Sequence, residues 1–477
     1  MINGQLWKLL DDEEMRKIEG AALGLLVNSG ARIEHDGLLD ILESAGCRVD
    51  RTAMRCRFTE KLIQEAVSRV GGKPDMAVEV KAGWDPAWRM GHGGSFPHLL
   101  EWPSGERRLA TRQDIHDMAK MAHTLDDFTT VGRVLTCAEV DPRVEPLWTT
   151  LALAQTTTKP IGAGEVYSAD YLEYLVRMGE VLSGVPRDNS LIARCDFFIQ
   201  PLILEPSQAA CFVEKRRLGC ANVPGTMTVA GLSGPVTPAG VVALSLAELL
   251  AGWTLGYLLN PELPVGGIIA TASLDMRTMN ACFSSPEAIL QNVTTSNIAR
   301  RLYGIAAHPI VSYTDCKVPG LKAAFDKMFG LLCAPFSNIR GIGACGLLSA
   351  GQDYCPVQHI IDIEMNKAVE RYWGHFEVND DTLAVDLLEK VMRAPETNFL
   401  TADHTLDHCH QNLWTPRWLD RSLWRGGTEE KSEEAGMLKR IGDYCADAIR
   451  RYEPPELDAG KIRELEGIYQ EAERKLC

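Results

Sequence analysis

Up to about residue 75 the apolar positions recur at helical spacing. Met15, Ile18, Ala22, Leu25 and Leu26 share one face, behind Asp11 and Glu14, whose three-residue separation is that of a capping box. Gly30 stands where that helix ends. A second helix begins near Asp36 and carries Leu38, Leu39, Ile41 and Leu42, and a third follows Thr59 and carries Leu62, Ile63, Ala66 and Val67. Between 76 and 109 the period changes to two. Gly91-His92-Gly93-Gly94 and Pro103-Ser104-Gly105 punctuate short strand-like pieces, which predicts a small β insertion. Thr111 then caps a helix through Ile115, Met118 and Ala122.

Beyond it strand-like and helical runs alternate. Strands are predicted over 128–135, 160–163, 191–199, 221–229, 265–271, 310–313 and 338–344. Helices are predicted over 145–158, 170–182, 208–218, 238–259, 286–302, 321–332 and 357–372. Such alternation implies a parallel sheet. Seven units are visible where a closed barrel needs eight. A (β/α)₈ TIM barrel is the architecture the pattern favours, with an open doubly wound sheet next. The expected division is a helical cap with its β insertion over 1–110, the barrel over 111–375, and a charged helical segment over 376–477. In its last helix Glu464, Ile468 and Glu471 read as a solvent-facing face.

Charge and cysteine usage narrow the function. Of 477 residues, 49 are Lys or Arg and 64 Asp or Glu, a net charge of -15, with no run of four basic residues. Phosphate backbones and anionic membrane surfaces would be repelled, so nucleic acid is not an expected partner. The 14 cysteines contain no C-x-x-C pair, which removes zinc ribbons and thioredoxin-type motifs and fits free thiols in a reducing cytoplasm. The acidic start is unlike a signal peptide. The stretch 240–259 is long enough to span a bilayer, but Glu248 interrupts it and its flanks read as barrel loops. A soluble, cytoplasmic protein is expected.

In a barrel the chemistry collects where strands end and loops begin. Glu165, Gln200, Thr226, Thr228, Ser233, Thr271, Asp275, Tyr313, Asp315 and Lys317 fall at such positions. Gly162-Ala163-Gly164, Gly231-Leu232-Ser233-Gly234 and Gly341-Ile342-Gly343-Ala344-Cys345-Gly346 allow close backbone approach. The last has dinucleotide-loop spacing but neither a helix directly after it nor the acidic residue that would follow. His404 and His408, at i and i+4, share a helix face without the H-E-x-x-H glutamate; lid or surface packing is the expected role, and no metal site is assigned.

Several segments together resemble the trimethylamine methyltransferase family. They are LLDDEEMRKIEGAALGLLVNSGARIEH, SGERRLATRQDIHDMAKMAHTLDD, TDCKVPG, and FLTADHTLDHCHQNLWTPRWLDRSLW with YEPPELD. The resemblance implies a TIM-barrel enzyme moving a methyl group from a methylated amine to the cobalt of a corrinoid held by a partner protein, with no tightly bound cofactor of its own. The chain has only standard residues where archaeal trimethylamine enzymes carry pyrrolysine. This points to the branch acting on quaternary amines, with glycine betaine first and proline betaine, carnitine or γ-butyrobetaine as alternatives. A quaternary nitrogen leaves as a neutral amine, so the protein must desolvate and orient the cation. Glu165, Asp275 or Asp315 is then expected to serve the ammonium, with Tyr313 or Phe283 as aromatic wall. Arg277, Lys317 or Arg340 is expected to take the carboxylate, with Gln200 and Thr228 lining the pocket. A homo-oligomer is expected by analogy with other barrel enzymes. A different barrel enzyme of the uroporphyrinogen-decarboxylase-like kind, or a betaine-binding protein, are the other classes.

Overall fold

The computed structural model describes residues 9–72, 94–337, 345–374, 376–393, 398–423 and 433–477. The fold is mixed α/β. Four short parallel strands form its central sheet: β1 (Asp196–Phe197), β2 (Pro224–Thr226), β3 (Gly267–Ile269) and β4 (Ala307–Pro309), adjacent in that order. The register pairs Phe197 with Gly225, Ile269 with Thr226, and Ile269 with Pro309. Each strand leads into a helix: α1 (Pro206–Arg217), α2 (Pro238–Leu259), α3 (Pro286–Tyr303) and α4 (Leu321–Cys333), with α5 (Pro356–Trp373) following further on. Proline in the first turn starts α1, α2, α3 and α5, where its missing N–H is not needed.

The expected strands at 128–135 and 160–163 are single parallel bridges, Val131 to Ile161 and Phe96 to Leu135, rather than ladders. Among the described residues no backbone pairing joins Ile161 to β1 or β4 to Leu347. The mixed α/β order therefore stands, without a hydrogen-bonded closed ring. The strand expected at 310–313 is β4, three residues earlier. Asn292 of α3 ends that ladder: its Nδ2 donates to the Ile310 carbonyl at 2.7 Å and its Oδ1 accepts from Thr271 N–H at 2.8 Å. The strand expected at 338–344 lies outside the described residues, as do His92, Arg340, Gly341 and Gly343.

The amino-terminal helices form as their caps dictate. Asp11 and Glu14 make the reciprocal capping box and Thr59 accepts from Leu62 N–H, while the second helix, Asp36–Ser44, is capped by His35. The sequence pattern did not show the short strands between them, Ala31–Ile33, Arg48–Asp50 and Arg55–Arg57. These helices pack on α2, which is apolar on every side and accordingly buried, so the stretch long enough to span a bilayer is here a core helix. Its Glu248 is fully buried. The carboxylate accepts from Thr226 Oγ1 at 2.7 Å, Leu202 N–H at 3.0 Å and Gln200 Nε2 at 3.1 Å, stapling helix to sheet. A second core gathers Phe128, Trp148, Tyr354 and the last helices. In Ala459–Leu476, Glu464 meets solvent as expected and Glu471 is half-exposed, but Ile468 is buried with Leu465 and Ala472 against this core.

Candidate active site

The loops that follow the parallel strands bring together a charged and aromatic cluster. Glu165, just after the Ile161 bridge, pairs through its carboxylate with Arg194 Nη2, directly before β1; both side chains are largely but not wholly covered. A second guanidinium lies behind them. Arg133 is 3% exposed and donates from Nη2 to the Glu165 carbonyl at 3.2 Å. Burial pulls its pKa below the usual range, with the charges of Glu145 and Glu165 opposing. Gly164 is needed here: a Cβ would fall 2.6 Å from Arg133 Nε and 2.8 Å from its Cβ. Ser95 fixes the other edge, accepting from Glu165 N–H and donating to the Arg133 carbonyl, each at 3.3 Å.

Arg194 is positioned from below. Lys215 of α1, fully buried, donates to the Arg194 carbonyl at 3.1 Å and to Asp196 Oδ1 at 2.6 Å. Burial works against the Arg194 charge, but Glu165 outweighs it and the guanidinium is held above its usual range. His308 of β4 faces the same charge. Burial first, and Arg194 second, lower its pKa to about 4, so the imidazole is neutral at pH 7.

The aromatic side comes from Tyr313 and Phe283, whose ring centroids are 5.5 Å apart. Desolvation, then the Glu165 charge, raises the Tyr313 hydroxyl above the phenol range, which keeps it protonated. Asp315 sits beside them, accepting from Ser284 Oγ at 2.9 Å and Phe283 N–H at 3.4 Å; it holds the phenylalanine loop in place.

The remaining expected residues are elsewhere. Asp275 and Arg277 pair with each other at 3.1 Å on the hairpin beyond β3, with Arg277 89% exposed. Lys317 is exposed and donates to the Asp315 carbonyl at 2.5 Å, not to its carboxylate. Gln200 and Thr228 belong to the buried polar cluster around Glu248, Thr226 and Ser245. His404 and His408 stack at 4.3 Å and both turn to Asp381. Among the described residues no group of three or more His, Cys, Asp or Glu is arranged for a metal. Arg133, Arg194 and His308 are the cluster members that the sequence reading missed. Two of them were visible as arginines inside largely apolar strand runs, Arg133 alone in TVGRVL and Arg194 beside Asp196 in LIARCDFFI.

The family described as trimethylamine methyltransferase (MTTB) matches residues 2–475. A glycine betaine methyltransferase of Desulfitobacterium hafniense is 24% identical over 468 residues, 95% of each chain. A trimethylamine methyltransferase MttB from the same species is also 24% identical, over 97% of this chain and 93% of its own. The MttB of Methanosarcina barkeri is 22% identical over 99% and 97%. The solved monomethylamine methyltransferase (MtmB) of Methanosarcina barkeri aligns over 94% of this chain and 95% of its own at 12% identity and a TM-score of 0.46. With nearly its whole length matched, this chain belongs to the trimethylamine methyltransferase (MTTB) family, a family of methyltransferases.

Proposed function

We propose that the protein transfers a methyl group from a quaternary amine bearing a carboxylate, glycine betaine first, to the cobalt of a corrinoid held by a partner protein, leaving dimethylglycine. The observation that carries this reading is the Glu165–Arg194 ion pair at the strand-end loops, where Glu165 can face an ammonium and Arg194, backed by Arg133, can face a carboxylate. Arg194 Nε is buried with no hydrogen-bond partner among the described residues, and a guanidinium with a spare N–H calls for an anion. A zwitterion supplies one, lying antiparallel to the Glu165–Arg194 pair with its ammonium at Glu165 and its carboxylate at Arg194. A trimethylammonium ion would meet Glu165 alone and be repelled by both arginines. The relative named glycine betaine methyltransferase supports the same substrate; proline betaine, carnitine and γ-butyrobetaine share the required chemistry.

In this reading Tyr313 and Phe283 pack on the methyl groups and exclude water, where the ring faces favour a cation. Asp315 positions Phe283 and adds negative potential at the mouth. The bond between nitrogen and the departing methyl breaks with its electron pair left on nitrogen. No proton is required, in keeping with a neutral His308 and a protonated Tyr313. Cobalt(I), as the second substrate, supplies the electron pair of the new bond to carbon. The rim of the strand-end loops is apolar and open, with Leu232, Val236, Met276 and Met279 each more than 60% exposed, a surface suited to a corrinoid face. We place these loops at the mouth of a (β/α)₈ barrel, supported by the parallel strand order and the helix after each strand. All 14 cysteines are free, which supports a reducing cytoplasm.

The test is anaerobic and spectroscopic. The protein is mixed with a reduced corrinoid protein, each amine is added in turn, and methylation of cobalt is followed. Conversion with a betaine at least tenfold faster than with trimethylamine is expected; conversion with no amine, or faster with trimethylamine, overturns the proposal.

A further inference from the structure

Two apolar surfaces of this chain are not covered by any of the described residues. The first is a groove of about 500 Å³ along α4, walled by Met328, Met365, Trp418 and Met437. On its rim Leu321, Phe325, Phe329 and Leu332 recur at helical spacing and are 38–75% exposed. A second hollow of about 260 Å³, between α3 and α4, continues it through Phe329. The second surface is the arm that leaves the body after α5. Its helices Asp380–Leu383, Val385–Arg393 and Asp403–Asn412 bury no residue. Val385, Leu388 and Met392 line up on the outer face of the middle helix at i, i+3 and i+7, with Met392 78% exposed.

A helix of nine residues without tertiary packing is not stable in water, where roughly 12–15 residues are marginal. The arm therefore requires a cover, and the groove has the shape of one, since an amphipathic helix seats its i, i+3, i+7 residues in such a channel. We infer that the arm of one copy occupies the α4 groove of a second copy, in a two-fold exchange that places both arms in both grooves.

Three observations favour a second copy. The residues following the arm, Trp414 and Trp418, build the wall of the groove, so the arm springs from its edge, yet none of its three helices lines the groove. Both unmatched surfaces lie on one chain, so a two-fold pair satisfies both at once, whereas a different partner would cover one of them. The flanks are also balanced in charge. Asp386 and Glu389 stand with Lys390 and Arg393 on the arm, and Lys322 with Asp326 on α4, so two chains of net charge -15 are not repelled at this contact. The area suffices. Covering half of eight side chains of roughly 100 Å² each, twice about the axis, removes about 800 Å² of apolar surface. At the usual apolar share this is roughly 1,300 Å² in total, within the range of stable pairs.

The inference does not depend on the substrate. Sedimentation of the full chain at micromolar concentration is expected to give twice the chain mass. Met392→Glu in the arm and Phe325→Glu in the groove should each weaken association at least tenfold while leaving the circular-dichroism spectrum unchanged. Mixing the two variants should partly restore the dimer, because one intact arm then meets one intact groove. The unsubstituted protein gives an independent readout. In a mixture of isotopically light and heavy chains, lysine cross-links between Lys390 and Lys322 should join light to heavy. A monomer, a dimer indifferent to both substitutions, or Lys390–Lys322 links confined to one chain would overturn the exchange. So would a monomer that uses these same residues to bind the corrinoid protein.

Discussion

Replacing Arg194 by methionine separates the two ends of the proposed substrate. The Glu165–Arg194 pair is partly buried, with side-chain exposures of 19% and 26%. At an effective dielectric of about 20, a charge about 4 Å from the guanidinium interacts by about 4 kcal/mol. A betaine carboxylate seated there loses that attraction, less what it recovers in hydration and from Arg133 behind. A net loss of about 2–4 kcal/mol is expected, which is roughly a 30- to 1,000-fold fall in kcat/KM. The fall should come mainly as a raised KM, because the carboxylate contact is the same before and during transfer. Trimethylamine, a cation at neutral pH, is relieved of a repulsion by the same substitution, so its kcat/KM should hold or rise. The assay is the anaerobic cobalt-methylation rate with each amine, with thermal denaturation to verify folding. An equal loss for both amines would show that Arg194 only shapes the site, and the charge argument would fail.

Lys215→Met should cost about 3–5 kcal/mol by chemical denaturation, because Asp196 would be left buried with a second carboxylate oxygen already unpartnered; Arg194 would lose its support and turnover would fall with it. His308 has a folded pKa of about 4 against about 6.5 unfolded, so the unfolded chain binds its proton first as pH falls. Stability should therefore drop between pH 6.5 and 4 by up to about 3 kcal/mol, and a His308→Gln comparison of denaturation against pH should remove that slope. Glu248 titrates the other way. Burial raises its pKa to about 7, so its contribution is present below pH 4.5 and is lost as pH rises through 7. Glu248→Gln should gain on the parent by up to about 3 kcal/mol between pH 5 and 8, and an unchanged difference across that range would refute the assignment.

The sequence showed the helices better than the strands. Apolar recurrence, with proline at the first turn of α2, α3 and α5, placed α2, α3, α4 and α5 within a residue or two of where they stand. The strands are only two or three residues long, and side chains such as Asn292 cut their ladders, so apolar runs overstated them. In the last helix, charged residues at the edges masked the buried stripe of Leu465, Ile468 and Ala472. The site was half legible. Strand-end position found Glu165, Tyr313 and Asp315, and the need for an aromatic wall added Phe283; the fold gathers all four. The same rule found Gln200 and Thr228, because a strand's outward face also carries polar residues when a helix places a glutamate there. The exposed cations Arg277 and Lys317 drew attention as loop charges, whereas Arg133 and Arg194 were hidden inside strand patterns. A lone arginine in an apolar run is costly to bury and is the better signal.

The central claim is that this site takes a methyl group from a zwitterion and hands it to cobalt. The most direct measurement uses glycine betaine with deuterated N-methyl groups, a reduced corrinoid protein, and mass spectrometry of both products. One deuterated methyl on cobalt for each dimethylglycine formed, with trimethylamine at least tenfold poorer, is the predicted result. Trimethylamine as the better donor, or dimethylglycine formed without methylated cobalt, would contradict it.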